Sequence, residues 1–217
     1  MALIKGTAVT TPLIRCTKKL HTEMGATVLS AASPAGDVLL GDWYANLLRI
    51  EGKKCVIFTS ERTLLTFLFP GLSRDAIHQL PAVLRDGLSK LLESETFADD
   101  VVGRLLSEYQ DLAVVPTTDR SVLGSLNELS RMAEAYVHHG GGLESCDLRA
   151  INHRLNQNPM SRLQMASPMA VTKSLLDGDL TMSASRKRTS SRKKKPRQPR
   201  LDEVRITRDG DTAVITH

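Results

Sequence analysis

Two apolar stretches on either side of a glycine-containing turn predict β-strands early in the chain. These stretches, 43–50 and 54–59, are separated by Glu51-Gly52-Lys53. We interpret this segment as a tight turn, because glycine tolerates the positive φ that such turns require. A shorter strand is predicted at 13–17, followed by a helix that ends at Gly25.

Apolar residues three and four positions apart predict helices in the middle of the chain. The longest such run covers 77–92, with Ser73 placed as its N-cap. Pro81 lies inside the run, so we expect a break or two successive helices there. A short apolar strand is predicted at 112–115, where Pro116 ends it. Further helices are predicted over 99–109, 121–138 and 147–156.

This order of elements predicts an α+β fold, a small mixed β-sheet packed with several helices, over residues 13–163. Residues 1–12 are expected to form a disordered leader. The periodicity fades after that domain, and 164–200 are interpreted as a linker with a disordered basic tail. Residues 201–217 predict a β-hairpin around an Asp-Gly turn. This hairpin either docks on a sheet edge or begins a second module that is truncated.

The positive charge of the chain is concentrated in one short segment. The sequence holds 29 Lys and Arg against 24 Asp and Glu, and nine of the cations fall within residues 186–200, which contain no acid. The rest of the chain, with 20 cations against 24 acids, is mildly acidic. The nine cations are Arg186, Lys187, Arg188, Arg192, Lys193, Lys194, Lys195, Arg197 and Arg200. Such a segment favours DNA or RNA as a partner, through phosphate contacts that carry no base information.

Other features of the composition narrow the class of protein. No apolar run approaches the roughly 18 residues that a membrane span needs, and no apolar stretch of signal-peptide length follows Met1. Cys16, Cys55 and Cys146 are dispersed and form no C-x-x-C pair, which is typical of reduced thiols. We therefore expect a cytoplasmic protein with no membrane segment.

The sequence predicts neither a metal nor a cofactor. His138, His139, Cys146 and His153 match no zinc-binding spacing. The first two of these histidines are better interpreted as the cationic end of a helix. Cysteines in predicted strands are by default buried and inert. No arrangement typical of nucleophilic catalysis stands out, so whether the protein is an enzyme stays open.

Several separated sequence blocks resemble a known protein family. These blocks are IRCTKKL at 14–20, LGDWYANL at 40–47, KCVIFT at 54–59, DRSVLGSLN at 119–127, and Asn152 through Met160. They are similar in order and content to a widespread bacterial family classed as a domain of unknown function. The resemblance covers about residues 13–163. It implies membership of that family, and it implies no activity, cofactor or site residue.

Asp119, Arg120 and Ser121 form the first candidate site, at the start of a predicted helix. The free N–H groups and the positive dipole end of a helix N-terminus favour anions. Arg120 and Ser121 can offer a guanidinium and a hydroxyl group to a phosphate there. The alternative is that Asp119 is a plain N-cap and Arg120 a solvated first-turn residue.

Asp42, Trp43 and Asn46 form the second candidate, because polar and aromatic groups together can line a pocket. In a strand, Asp42 and Asn46 share one face and Trp43 lies on the other. The alternative is therefore that Trp43 belongs to the core and that the opposite face is partly solvated. Convergence of Asp42 and Asn46 with Asp119 and Arg120 in the fold would favour a site.

Three functions follow from these observations. The leading hypothesis is a non-catalytic binding module that recognises a protein partner or an anion, while the basic tail adds sequence-independent attraction to DNA or RNA. The second is an enzyme acting on a phosphate-bearing or nucleic-acid substrate, with Asp42 or Asp119 as base or metal ligand and Arg120 as phosphate clamp. The third, by analogy with poorly characterised families, is a regulatory protein of a mobile or defence-linked element.

Overall fold

The computed structural model describes residues 11–25, 38–117 and 120–176, all within the first of two compact units, Met1–Asp179. The leader up to residue 10, the basic tail and the C-terminal hairpin lie outside the described residues. The described residues form an α+β fold, as the sequence predicts.

A five-stranded mixed sheet is the framework of the domain. Its strands are β1 (Leu13–Cys16), β2 (Trp43–Ile50), β3 (Lys53–Ser60), β4 (Thr66–Phe69) and β5 (Ala113–Pro116), in the order β4-β3-β2-β1-β5. Strands β2, β3 and β4 pair antiparallel, whereas β1 lies parallel to both of its neighbours, β2 and β5.

The β2–β3 hairpin confirms the predicted turn, with one difference in length. Glu51 and Gly52 are the two turn residues, and both have positive φ, 51° and 76°. Positive φ at both central positions is the geometry that matches the twist of a two-residue hairpin. Lys53 already belongs to β3 and pairs with Ile50. The hairpin register therefore places Trp43 opposite Ser60.

Helices cover both faces of the sheet. They are α1 (Lys18–Met24), α2 (Arg74–His78), α3 (Leu80–Ser94), α4 (Asp99–Glu108), α5 (Arg120–His139), α6 (Leu148–Gln157) and α7 (Pro168–Leu176). The predicted break at Pro81 separates α2 from α3. This proline lies in the first turn of α3, where its missing N–H breaks no helical hydrogen bond. Ser73 caps α2 as predicted, and its Oγ accepts a 3.1 Å hydrogen bond from the N–H of Ala76.

Two elements differ from the sequence-based expectation. Strand β4 was not predicted, because Thr66, Phe67 and Leu68 are all buried and the segment shows no alternation of apolar and polar positions. Helix α7 occupies a stretch that we predicted as linker. Its Met169 and Thr172 are buried, so this stretch packs as part of the domain.

The sheet separates two apolar cores. Strand residues Trp43, Ala45, Val56 and Phe58 contribute to the first core, which is covered by α1 to α4 and includes Met169 of α7. The residues that alternate with them form the second core with α5 and α6. From β2 and β3 these are Tyr44, Leu48, Ile50, Cys55 and Ile57. Strands β2 and β3 are therefore buried on both faces.

Candidate functional site

The structure places Asp42 and Trp43 on opposite faces of the sheet. Trp43 is fully buried in the first core, and its ring centroid lies 5.7 Å from that of Phe67 and 6.1 Å from that of Tyr109. These tilted and edge-on contacts are typical of packed aromatic clusters. Asp42 and Asn46 lie on the other face, so Trp43 shares no surface with them.

The carboxylate of Asp42 joins β1 to the start of β2. Its Oδ1 accepts a 3.0 Å hydrogen bond from the backbone N–H of Leu13. Its Oδ2 lies 2.9 Å from Nε and 2.7 Å from Nη2 of Arg15. Asp42 is only 3% exposed, and both oxygens are occupied by donors of the protein itself. In this arrangement Asp42 links β1 to the start of β2.

Asn46, in the middle of β2, belongs to a polar row with Thr17 and Thr117, the residues that follow β1 and β5. Its Oδ1 accepts a 2.9 Å hydrogen bond from Oγ1 of Thr17, and its Nδ2 donates to Oγ of Ser130 over 3.3 Å. Thr117 continues the row on the far side of Thr17, because its N–H bonds the carbonyl of Cys16. Among the described residues, nothing bonds the buried Oγ1 of Thr117.

The predicted Asp119-Arg120-Ser121 site is described only in part. Arg120 begins α5 and is exposed, whereas Asp119 and the side chain of Ser121 lie outside the described residues. Thr117 brings the chain that leads to Arg120 next to the polar row of Asn46. Asp42 is separated from Asn46 by four positions of β2, about 13 Å along a strand. Asn46 contacts Ser130 in the middle of α5, about 15 Å along the helix from Arg120, and no contact among the described residues joins Asn46 or Asp42 to Arg120.

An asparagine pair, which the sequence analysis missed, closes the outer edge of β4. Asn156 accepts a 2.8 Å hydrogen bond from the N–H of Thr66 and donates a 2.7 Å bond to the carbonyl of the same residue. Asn152, one turn earlier in α6, accepts from the N–H of Leu68 over 2.9 Å. The two amides replace a neighbouring strand. The available signal was their spacing, since positions four apart share a helix face.

Two hollows lie beside this edge. The first measures about 440 Å³, runs between β4, α3 and α6, and has Leu68, Leu91 and Asn152 in its walls. The second measures about 380 Å³ and contains His153, whose Nδ1 lies 2.8 Å from Oε1 of the buried Glu95. Both hollows are bounded by residues of α6, and the first also by residues of β4 and α3. The described residues include no group of three or more His, Cys, Asp or Glu placed to hold a metal ion.

A third hollow, of about 590 Å³, lies between α1 and β2 and is markedly basic. Its lining residues are Lys18, Lys19, Thr22, Glu23, Leu47 and Arg49, and we call it the basic hollow. The carboxylate of Glu23 lies 2.6 Å from Nζ of Lys54 and 3.2 Å from Nη2 of Arg49. These cations, chiefly the hydrogen bond from Lys54, lower the pKa of Glu23.

The cysteines are poorly placed for nucleophilic chemistry. Burial raises the pKa of Cys16 from 9.0 to about 12. Burial also raises the pKa of Cys55 and of the half-buried Cys146. Because the thiolate is the reactive form, all three are held in their less reactive state.

The fold and these contacts define a mixed-sheet α+β domain with helices on both faces. The chain belongs to the family described as a domain of unknown function, DUF6933, whose model matches residues 13–171. This match confirms the family resemblance and extends it into α7. No curated protein matches the chain. Within the described ranges, no helix has the length and apolar character needed to cross a membrane.

Proposed function

We propose that the protein is a non-catalytic binding module that attracts nucleic acid without sequence preference. The observation that carries this proposal is the charge distribution of the sequence. Nine cations and no acid occupy residues 186–200, while the remainder of the chain holds 20 cations against 24 acids. A dense run of Lys and Arg binds phosphates by releasing the counterions that DNA and RNA condense.

The composition of the tail supports backbone contacts over base contacts. Residues 186–200 contain no aromatic side chain that could stack on a base. The Lys and Arg side chains would meet phosphates, which are the same at every position of a nucleic acid. Affinity without sequence choice is the expected result.

The proposed absence of catalysis is supported by how the folded domain uses Asp42. The hypothesis of an enzyme on a phosphate-bearing substrate assigns the role of base or metal ligand to Asp42 or to Asp119, and Asp119 lies outside the described residues. Both oxygens of Asp42 instead hold Leu13 and Arg15. A base must have a free oxygen that can reach the proton it removes.

The proposal is tested by measuring the affinity for a short mixed-sequence duplex DNA as a function of salt. The full-length protein is compared with a full-length variant in which all nine tail cations are replaced with glutamine. Each phosphate neutralised adds about 0.9 to the slope of log K against log salt, so nine contacts set an upper limit of about 8. We expect a steep slope for the native protein and a shallow one for the variant.

Equal slopes and affinities for the two proteins would refute the role of the tail. A second DNA of different sequence provides the control for specificity. Binding that differs strongly between the two sequences would contradict sequence-independent attraction, because phosphate contacts carry no base information.

A further inference from the structure

The basic hollow gathers positive charge on one part of a domain that is otherwise acidic. Lys18, Lys19 and Arg49 line it. Lys54 and Arg74 lie close enough to act on the same carboxylate, that of Glu23. Three cations therefore act on the carboxylate of Glu23, and Lys18 and Lys19 line the same hollow, although acids outnumber cations in the chain outside its tail. Such an excess creates a local positive potential that concentrates anions.

Two of these cations are available to a ligand. Lys18 and Lys19 are exposed at the start of α1. Within the ranges that the structure describes, no side-chain hydrogen bond or ion pair engages either ammonium group. Arg49 and Lys54 are instead held by Glu23 at 3.2 and 2.6 Å. Arg49 is therefore a paired cation of the lining, and Lys18 and Lys19 are its unpaired, exposed cations.

The charged groups of the lining can pair with a phosphate, while aliphatic parts of the side chains supply most of the exposed surface of the hollow. Leu47 is the only apolar side chain among the lining residues, and no aromatic ring is among them. A protein interface would be expected to present an aromatic or aliphatic anchor at its centre. Lysine ammonium groups bind phosphate as point charges and require no fixed geometry of the partner.

We propose that the basic hollow is a second phosphate-binding surface, which contacts the backbone of the nucleic acid that the tail attracts. This inference rests on the proposed function and adds a surface on the folded domain to it. Lys18 and Lys19 make the phosphate contacts, and Arg49 and Lys54 supply the surrounding potential. The contacts are independent of sequence, as are those of the tail.

The test uses the full-length protein with two matched double variants. Lys18→Gln with Lys19→Gln removes two charges from the hollow. Arg104→Gln with Arg131→Gln removes two charges from exposed positions of α4 and α5 and serves as the control. The affinity of each double variant for the same duplex DNA is measured over the same salt range, once with the native tail and once with the tail neutralised.

We expect the double lysine variant to lower the slope of log K against log salt by about 2, close to 0.9 per lost contact. At 0.1 M salt this corresponds to a loss of affinity of up to roughly eightfold per lysine. The control should keep the slope of the unsubstituted protein. Equal losses in the two double variants would overturn the proposal, because only net charge would then matter.

Glu23→Gln should change the DNA affinity of the same surface in the opposite direction. It removes the one carboxylate of the lining, so we expect tighter DNA binding, a result that a purely structural role of Glu23 would not produce. Unchanged or weaker binding would contradict the inference. Preferential binding of poly-glutamate through Lys18 and Lys19 would also overturn it and assign the hollow to an acidic protein.

The measurements distinguish a failure of the tail hypothesis from a failure of the basic-hollow hypothesis. If tail neutralisation has no effect while the double lysine variant still lowers the slope, the tail hypothesis is wrong and the hollow is supported. If tail neutralisation abolishes binding and the double lysine variant behaves like its control, the hollow is excluded and the tail is supported.

Discussion

Replacing Asn156 with alanine should open the outer edge of β4 and destabilise the domain. The side chain is fully buried and bonds both backbone groups of Thr66, at 2.8 and 2.7 Å. Thr66 is itself fully buried, so water does not reach the N–H and C=O that lose their partner. A buried backbone group left unpaired costs about 1–3 kcal/mol.

Two such groups give a loss of roughly 2–6 kcal/mol in the free energy of unfolding. Alanine is a better helix former than asparagine by up to about 0.7 kcal/mol, which offsets part of that loss. We therefore expect Asn156→Ala to lower the free energy of unfolding by about 2–5 kcal/mol. A domain of this size typically has about 5–15 kcal/mol in total, so the effect is large.

Urea denaturation measures the effect, and Asn152→Ala is the matched control. It makes the same chemical change in the same helix, and so gains the same helix propensity. It removes one hydrogen bond, to Leu68, at a position that lines an open hollow. We expect a loss of about 0.5–1.5 kcal/mol there. If Asn156→Ala proves no more destabilising than Asn152→Ala, the edge of β4 is not closed in the way we describe.

Three further predictions concern packing, charge and pH. Gly87→Ala would place a Cβ in steric conflict with the ring of Phe67 and should cost about 1–3 kcal/mol in thermal unfolding. Gly103→Ala has nothing within 4 Å and should stabilise α4 by about 0.5–1 kcal/mol. Asp42→Ala breaks a partly buried ion pair with Arg15 and leaves the N–H of Leu13 unpaired, and it should cost about 1–3 kcal/mol in urea unfolding; a loss near zero would show that its contacts carry no stability. The raised pKa of Cys16 means that its neutral thiol contributes stability below pH 9.0, and this contribution is lost as the pH rises toward about 12. The unfolding free energy of Cys16→Ala should therefore fall less over that range than that of the native protein.

Local signals were sufficient for much of the fold. The apolar stretches of β2 and β3 were recognised as strands because a glycine-containing turn separates them, although both strands are buried on both faces. Gly52 marked the turn, and Pro81 marked the boundary between α2 and α3. Glycine permits the positive φ of the turn and proline restricts φ and lacks an N–H, so in each case the residue itself carries the information in a single sequence.

The parts that could not be predicted depend on contacts between distant segments. Strand β4 has no alternation of its own, and its outer edge is closed by Asn156 from a helix far along the chain. Asp42 was recognised as a polar residue of interest, but its partners lie in β1 and nothing in the local sequence indicates them. The basic hollow combines α1 with β2, and its charge becomes visible only when Lys18 and Arg49 are brought together.

The position of β1 in the sheet determines the order in which this domain can be completed. Ile14 pairs with Trp43 on one side and with Val114 on the other, so the second partner lies beyond α2, α3 and α4 in the chain. Local contacts form early in folding, whereas pairings between remote segments are delayed by the entropy of closing the loop between them. During synthesis, the β2–β3 hairpin can therefore form while one edge of β1 still lacks its neighbour. That edge stays open until β5 has been made, so an incomplete chain has a region prone to self-association that the finished domain has closed.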